Sequence, residues 1–177
     1  VRWVGNEGGL GRATEWSATA LMPNSYPGSD EIYKRLDINA MSKDLGSREL
    51  VSKASDLFWY PSEVDVSIRP GWFYHPEEEP HSLERLQRTY ITSVGGNACF
   101  HLNIPPTQDG LFDPRDVARL KELGDWLKES FSHPLEARMA QSGWEYTLTF
   151  AEKTAVRYVV LQEDIRQGQR VEAFSLE

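Results

Sequence analysis

Glu63-Val64-Asp65-Val66-Ser67-Ile68-Arg69-Pro70-Gly71-Trp72-Phe73-Tyr74-His75 alternates polar and apolar residues, turns at a proline and a glycine, and then presents a run of rings. Val64, Val66 and Ile68 fall on one face of a predicted strand, and Glu63, Asp65, Ser67 and Arg69 on the other. A charged strand face lines a site or meets water. Opposite charges on that face are expected to pair in a buried ladder, with direct substrate contact as the alternative. Trp72, Phe73, Tyr74 and His75 form an aromatic loop beyond the strand end.

The segments on either side have the rhythm of βα units. A helix is predicted from near Ser82 to Val94, with Leu83, Leu86, Tyr90 and Val94 as its apolar stripe and Gly95-Gly96-Asn97 as its stop. Ala98 to Ile104 is strand-like and ends at Pro105-Pro106. Asp113 followed by Pro114 is a strong helix start, and Val117, Leu120, Leu123, Leu127 and Phe131 are predicted to point inward. Upstream, a short strand from Val1 runs into Gly5, Gly8, Gly9 and Gly11, a loop leaving a strand end. Residues 12 to 56, with Pro23, Pro27, Gly28 and Gly46, are predicted to be a long surface excursion holding a short helix around 47 to 55. Alternating β and α implies a parallel sheet or barrel. After Ser142-Gly143 the pattern changes to three β-rich stretches, Trp144 to Ala151, Thr154 to Gln162 and Arg170 to Leu176, the first two joined as a hairpin across Glu152-Lys153. A domain boundary is therefore expected within 132 to 143, dividing the chain into residues 1–135 and 136–177.

Composition narrows the function. The 177 residues carry 19 Lys and Arg against 27 Asp and Glu, a net charge of −8, which argues against a nucleic-acid partner. An uncharged polar ligand such as sugar remains natural. One cysteine excludes an intrachain disulfide, and its apolar surroundings predict that Cys99 is a buried small hydrophobe. No run approaches the ~20 apolar residues of a membrane span. No charged-then-apolar leader opens the chain, which begins without Met in mid-strand, so its true N-terminus is expected to lie upstream. No cofactor is expected. Gly8-Gly9-Leu10-Gly11 lacks the Lys and Ser or Thr of a phosphate loop, and His75, His81, His101 and His133 do not stand at zinc-ligand spacing.

Two groups of residues could carry chemistry. Trp3-Val4-Gly5-Asn6-Glu7 puts a carboxylate, with an amide before it, just past a strand end, and in a parallel barrel that end is the active-site face. The competing interpretation is a loop carboxylate in water. The aromatics Trp72, Phe73 and Tyr74, with Trp16 and Trp59 elsewhere, suit a glycan pocket, because sugar C–H faces stack on rings. Core packing explains tryptophans equally well, and is the expectation for Trp126 and Trp144.

Arg2-Trp3-Val4-Gly5-Asn6-Glu7, the block from Glu63 to His75, Ser93-Val94-Gly95 with Asn97, and Leu102-Asn103-Ile104-Pro105-Pro106 resemble glycoside hydrolase family 29, the α-L-fucosidases, in the family's own order. The resemblance implies an α/β fold, the C-terminal portion of a (β/α)8-like TIM barrel followed by the first strands of a β-sandwich. It implies a retaining exo-glycosidase that removes terminal α-L-fucose from fucosylated oligosaccharides or glycoconjugates, with the form of the Trp-Val-Gly-Asn-Glu motif resembling the subgroup that acts on α-1,3 and α-1,4 linkages. By the same resemblance Glu7 is the general acid/base, Asn6, Glu15, Trp16, Trp72 and Phe73 contact substrate, no metal takes part, and the enzyme is secreted or periplasmic. Gly96 and His101 depart from the family pattern and receive no role. Retention needs two carboxyl groups about 5 Å apart, the acid holding its proton near neutral pH through burial and a second carboxylate. The nucleophilic Asp, and histidines that hold fucose, are expected before Val1. The full-length protein should therefore turn over α-fucosides, whereas this chain alone should be inactive and prone to associate through its sheet edges. The alternative is a carbohydrate-binding, non-catalytic module, or a structural homologue without activity.

Overall fold

A computed structural model of the chain describes residues 1–13, 15–20, 36–39, 41–167 and 171–177. In chain order its elements are β1 (Arg2–Trp3), β2 (Ala18–Thr19), α1 (Arg48–Val51), β3 (Phe58–Trp59), β4 (Ser62–Ser67), α2 (Leu83–Ser93), β5 (Cys99–Asn103), α3 (Pro114–Phe131), β6 (Arg138–Ser142) and β7 (Glu145–Thr149), with 3-10 turns at Val94–Gly96 and Ile165–Gln167. Of the excursion predicted over residues 12 to 56, positions 14, 21–35 and 40, including Pro23, Pro27 and Gly28, lie outside the described residues.

The alternation between Glu63 and Arg69 does produce a strand. β1, β4 and β5 form a parallel sheet in the order β1-β4-β5, with Trp3 opposite Glu63 and Asp65 opposite His101. This register divides the side chains into two layers. One face carries Val64, Ile68 and Leu102; Ile68 and Leu102 pack with Leu86 of α2 and Leu123 of α3, and Val64 is buried with Val4 and Ala98. The other carries Glu63, Asp65, Ser67, Cys99, His101 and Asn103. Burying Leu86 alone accounts for a few kcal/mol, since truncating such a residue to Ala typically costs about 2–5 kcal/mol.

Local chemistry sets the helix ends. Ser82 caps α2 by accepting from the Arg85 N–H, and Asn97, at a φ of 68°, turns the chain out of the 3-10 turn into β5. Asp113 accepts from the Arg115 N–H with Pro114 at the first helical position of α3. Between β1 and β2 the chain lies flush on α2, and glycine permits the approach. Gly9 has a φ of +78°, and a Cβ at Gly11 would stand 2.7 Å from the Thr92 carbonyl oxygen.

Several expectations are corrected. The inward face of α3 runs through Asp116, Leu120, Leu123 and Leu127, leaving Val117 exposed one helical step away. Val94 falls in the tighter 3-10 turn, where the α-helical stripe no longer holds, and is also exposed. Cys99 is exposed because its strand position puts it on the polar face of the sheet. The C-terminal hairpin joins β6 to β7, Ser142 opposite Glu145, because Gly143 at a φ of +60° supplies the left-handed backbone of a two-residue turn; Glu152-Lys153 joins no strands. Residues 154–162 and 171–176 form no strand. Trp144, expected in a core, is 85% exposed at the hairpin tip, whereas Trp126 does pack on the α2–α3 core.

Candidate active site

The carboxyl end of the sheet brings two sequence-predicted residues together. Glu7, beyond β1, accepts a hydrogen bond at Oε2 from the Trp72 indole N–H, 2.8 Å away, although the two stand far apart in sequence. Phe73 follows Trp72 and is 80% exposed. Asn6 builds the loop that presents Glu7: its Oδ1 accepts from the Gly8 and Leu10 N–H groups at 3.1 and 3.2 Å, and its Nδ2 donates to the Leu10 carbonyl at 2.8 Å.

Below Glu7 lies the polar face of β4 and β5. His101 Nδ1 stands 3.6 Å from Glu63 Oε1 and 3.5 Å from Asp65 Oδ1. Burial, with the negative charges of Glu63 and Glu7, holds the Asp65 carboxyl above its ordinary range against the pull of His101. The ligand atoms of Glu63, Asp65 and His101 lie within 4.8 Å of one another, a donor set that could hold a cation and is equally a histidine shared by two carboxylates. Spacing along the chain does not reveal this group, because His101 meets Asp65 only through the β4–β5 register.

The predicted ladder among Glu63, Asp65 and Arg69 does not form. Arg69 continues past the strand and turns to α3, where its Nε donates to both Asp116 oxygens at 3.0 and 2.9 Å and its Nη2 lies 3.3 Å from Asp113 Oδ2. Arg69 Nη1 donates to the His75 and Glu78 carbonyls, and its guanidinium stacks 5.0 Å above the Tyr74 ring. Tyr74 O–H in turn donates to Asp113 Oδ2 at 2.9 Å, and Arg115 ties Asp113 to Glu79 and the Pro76 carbonyl. The hydrogen bonds from Arg115 and Tyr74 hold the Asp113 carboxyl well below the usual range. The aromatic loop is thus bolted to the N-terminus of α3 by charge-assisted hydrogen bonds.

Glu15 and Trp16 stand at the opposite end of the sheet. Glu15 is 5% exposed, its oxygens taken by Arg2 at 2.8 Å and Arg12 at 3.0 Å. Burial pushes its pKa up, but the hydrogen bonds and charges of Arg2 and Arg12 outweigh it and hold the carboxyl below its usual value. Its carbonyl accepts from Asn97, which leads into β5. Trp16 packs on Ala20, Ile38 and Leu45, and Trp59, in β3, is exposed.

The family model described as alpha-L-fucosidase matches residues 21–130. The chain belongs to the α-L-fucosidase family, glycoside hydrolase family 29. It is 30% identical to Alpha-L-fucosidase 1 of Arabidopsis thaliana over an alignment that takes in 100% of this chain and 38% of that protein, and 28% identical to a rice relative with the same coverage. The chain therefore spans 38% of the length of these curated relatives. A crystal structure from Bacteroides ovatus, assigned to the α-L-fucosidases, superposes with a TM-score of 0.70 at 52% identity over 79% of this chain and 24% of that one. A glycoside hydrolase 29 family member from a rumen bacterium superposes at 0.61 with 30% identity over 84% and 24%. A Ruminococcus gnavus family 29 fucosidase solved with fucose gives 0.54 and 30% over 75% and 24%.

Asn103 and Asp113 hold the aromatic loop in a way the sequence conceals. Asp113 reads as a helix cap, and only the fold shows that the same carboxylate holds Tyr74. Asn103 occupies the last polar-face position of β5, and that parity at a strand's carboxyl end was the available signal.

Proposed function

We propose that the full-length protein releases terminal α-L-fucose from glycans by retaining double displacement, with Glu7 as general acid/base. The observation that carries this reading is the Trp72–Glu7 hydrogen bond, since it joins the carboxylate to the aromatic loop at the end of the sheet where parallel barrels do their chemistry. Three parallel strands with two helices on one face fit a part of such a barrel, and residues 136–177 fit the opening of a following β-sandwich.

In the first step a nucleophilic aspartate, contributed from before Val1, attacks the anomeric carbon while the Glu7 carboxyl gives its proton to the glycosidic oxygen; the C1–O bond breaks and the aglycone leaves as an alcohol. In the second, Glu7 as carboxylate takes a proton from water, whose oxygen attacks the same carbon and returns the aspartate. Asp65 is the carboxyl on the sheet that feels the charge of Glu7. Trp72 and Phe73 offer ring faces to the sugar, and the Asn6 loop presents the acid. Glu15 and Trp16, being at the other end of the sheet, are left out of this site. Branched glycans carrying α-1,3 or α-1,4 fucose are the proposed substrates, and an extracellular or periplasmic setting accords with them.

Glu7→Gln in the full-length protein should lower kcat/KM on an unactivated fucoside by roughly 10²–10⁴. Proton NMR of the wild-type reaction should show α-fucose as the first product. Unchanged turnover in the variant would move the acid role to Glu63 or Asp65, and β-fucose as first product would discard retention.

A further inference from the structure

We propose that Asn103 and Trp72 are positioning residues that decide which oxygen of Glu7 carries the transferable proton. The inference rests on the acid/base reading of Glu7. A lone glutamate offers two equivalent oxygens on a side chain with ~2 kcal/mol of rotamer freedom. The Trp72 indole removes that equivalence. Its N–H is a donor only, so the oxygen it meets, Oε2, must act as acceptor. The proton of the neutral carboxyl then rides on Oε1, which takes no hydrogen bond from the described residues.

Trp72 can do this only if its end of the loop is fixed: the α3 network holds the Tyr74 end, and Asn103 holds the Trp72 end. From the end of β5 its Nδ2 donates to Ser67 Oγ on β4 and to the Trp72 carbonyl, each at 3.0 Å. Both amide protons are used, one on the sheet and one on the loop. The chain of contacts runs from strand to loop backbone to indole to carboxylate, and its two ends, Asn103 to the Trp72 carbonyl and the indole to Glu7, are single hydrogen bonds that a substitution can remove. The titratable groups on the polar face of β4 and β5 are Glu63, Asp65, Cys99 and His101; Asp65 feels the charge of Glu7, and the hydrogen bond to Glu7 comes from the Trp72 indole.

The test compares two fucosides on one preparation of the full-length protein, so that any loss of folded material cancels in the ratio. One releases an alkyl alcohol, which needs protonation to leave. The other releases dinitrophenolate, which leaves unaided. Trp72→Phe keeps a stacking ring and removes the N–H; Asn103→Ala frees the loop carbonyl. Each should lower kcat/KM, which reports the first displacement, for the alkyl fucoside about tenfold or more beyond whatever loss the dinitrophenyl fucoside shows. Equal losses on both substrates, or none, would overturn the positioning role. Glu7→Gln run beside them separates the two ideas. If it lacks the leaving-group selectivity, the acid/base reading falls and takes this one with it. If it has the selectivity and Trp72→Phe does not, only the positioning role is lost.

Discussion

Arg69 and Asp116 are both essentially removed from water and pair with each other, and Arg69 also lies 3.3 Å from Asp113. Removing one member of a buried pair strands the remaining charge, so Arg69→Leu should destabilise the chain by about 3–5 kcal/mol, measured as a shift of the urea midpoint. Arg69→Lys should fail to restore it, because a point charge cannot bond Asp116 sidelong, reach two carbonyls and stack on Tyr74 at once. The double change to Arg69→Leu and Asp116→Leu should cost less than either alone, and an additive result would contradict the pairing. Two other carboxylates make stability depend on pH. Asp113 and Glu15 are held below their ordinary values in the fold. A depressed folded pKa gives stability that is complete above the unfolded range of about 3.9–4.3 and is lost as pH falls through the folded values. Denaturant midpoints should therefore drop steeply below about pH 4, and Asp113→Asn should flatten that drop. A midpoint that stays level down to about pH 2 would remove both ion pairs from the account.

Among the elements, those with complete local signals were legible in the sequence. β4 followed from strict alternation, α2 from a Ser cap and a glycine stop, and α3 from Asp113-Pro114. What sequence could not supply was pairing. Cys99 reads as apolar filler until register puts it opposite Glu63 on the polar face, and His101 acquires two carboxylates only by standing beside Asp65. The β-rich residues of 154–162 have propensity but no partner strand among the described residues, and propensity alone does not make a sheet. The hairpin depended on one glycine in the left-handed region, which charge-rich Glu152-Lys153 cannot replace. At the candidate site, sequence places Glu7 past the end of β1 and Trp72 past the end of β4, whereas their hydrogen bond and the clamp by Asn103 are consequences of the parallel register. One test belongs to this scale. Gly11→Ala would drive a methyl against the Thr92 carbonyl of α2, and the backbone must move to admit it. A loss of about 1–3 kcal/mol is expected, with faster amide exchange in the second half of α2; a silent substitution would mean that this segment does not lie on the helix.

Across the whole molecule, the described residues leave much apolar surface open. Trp144, Phe174, Val160 and Leu176 in the C-terminal part, and Phe73 at the site, are exposed. β1 and β5 each have only one neighbour in the described sheet. Unpaired edges and apolar patches favour association, so sedimentation of the 177-residue chain should show mass rising with concentration. A strict monomer with no dye-binding surface would contradict this view of its faces. The chain spans 38% of its curated relatives, and the proposed chemistry asks it for an acid and its setting but not for the nucleophile. The most direct test of that division is product analysis of full-length Glu7→Ala acting on a dinitrophenyl fucoside in azide. With the acid/base gone and the nucleophile intact, azide should enter from the vacated face, restore turnover and yield α-fucosyl azide. Failure of azide to accelerate the variant, or formation of β-fucosyl azide, would contradict the assignment of Glu7.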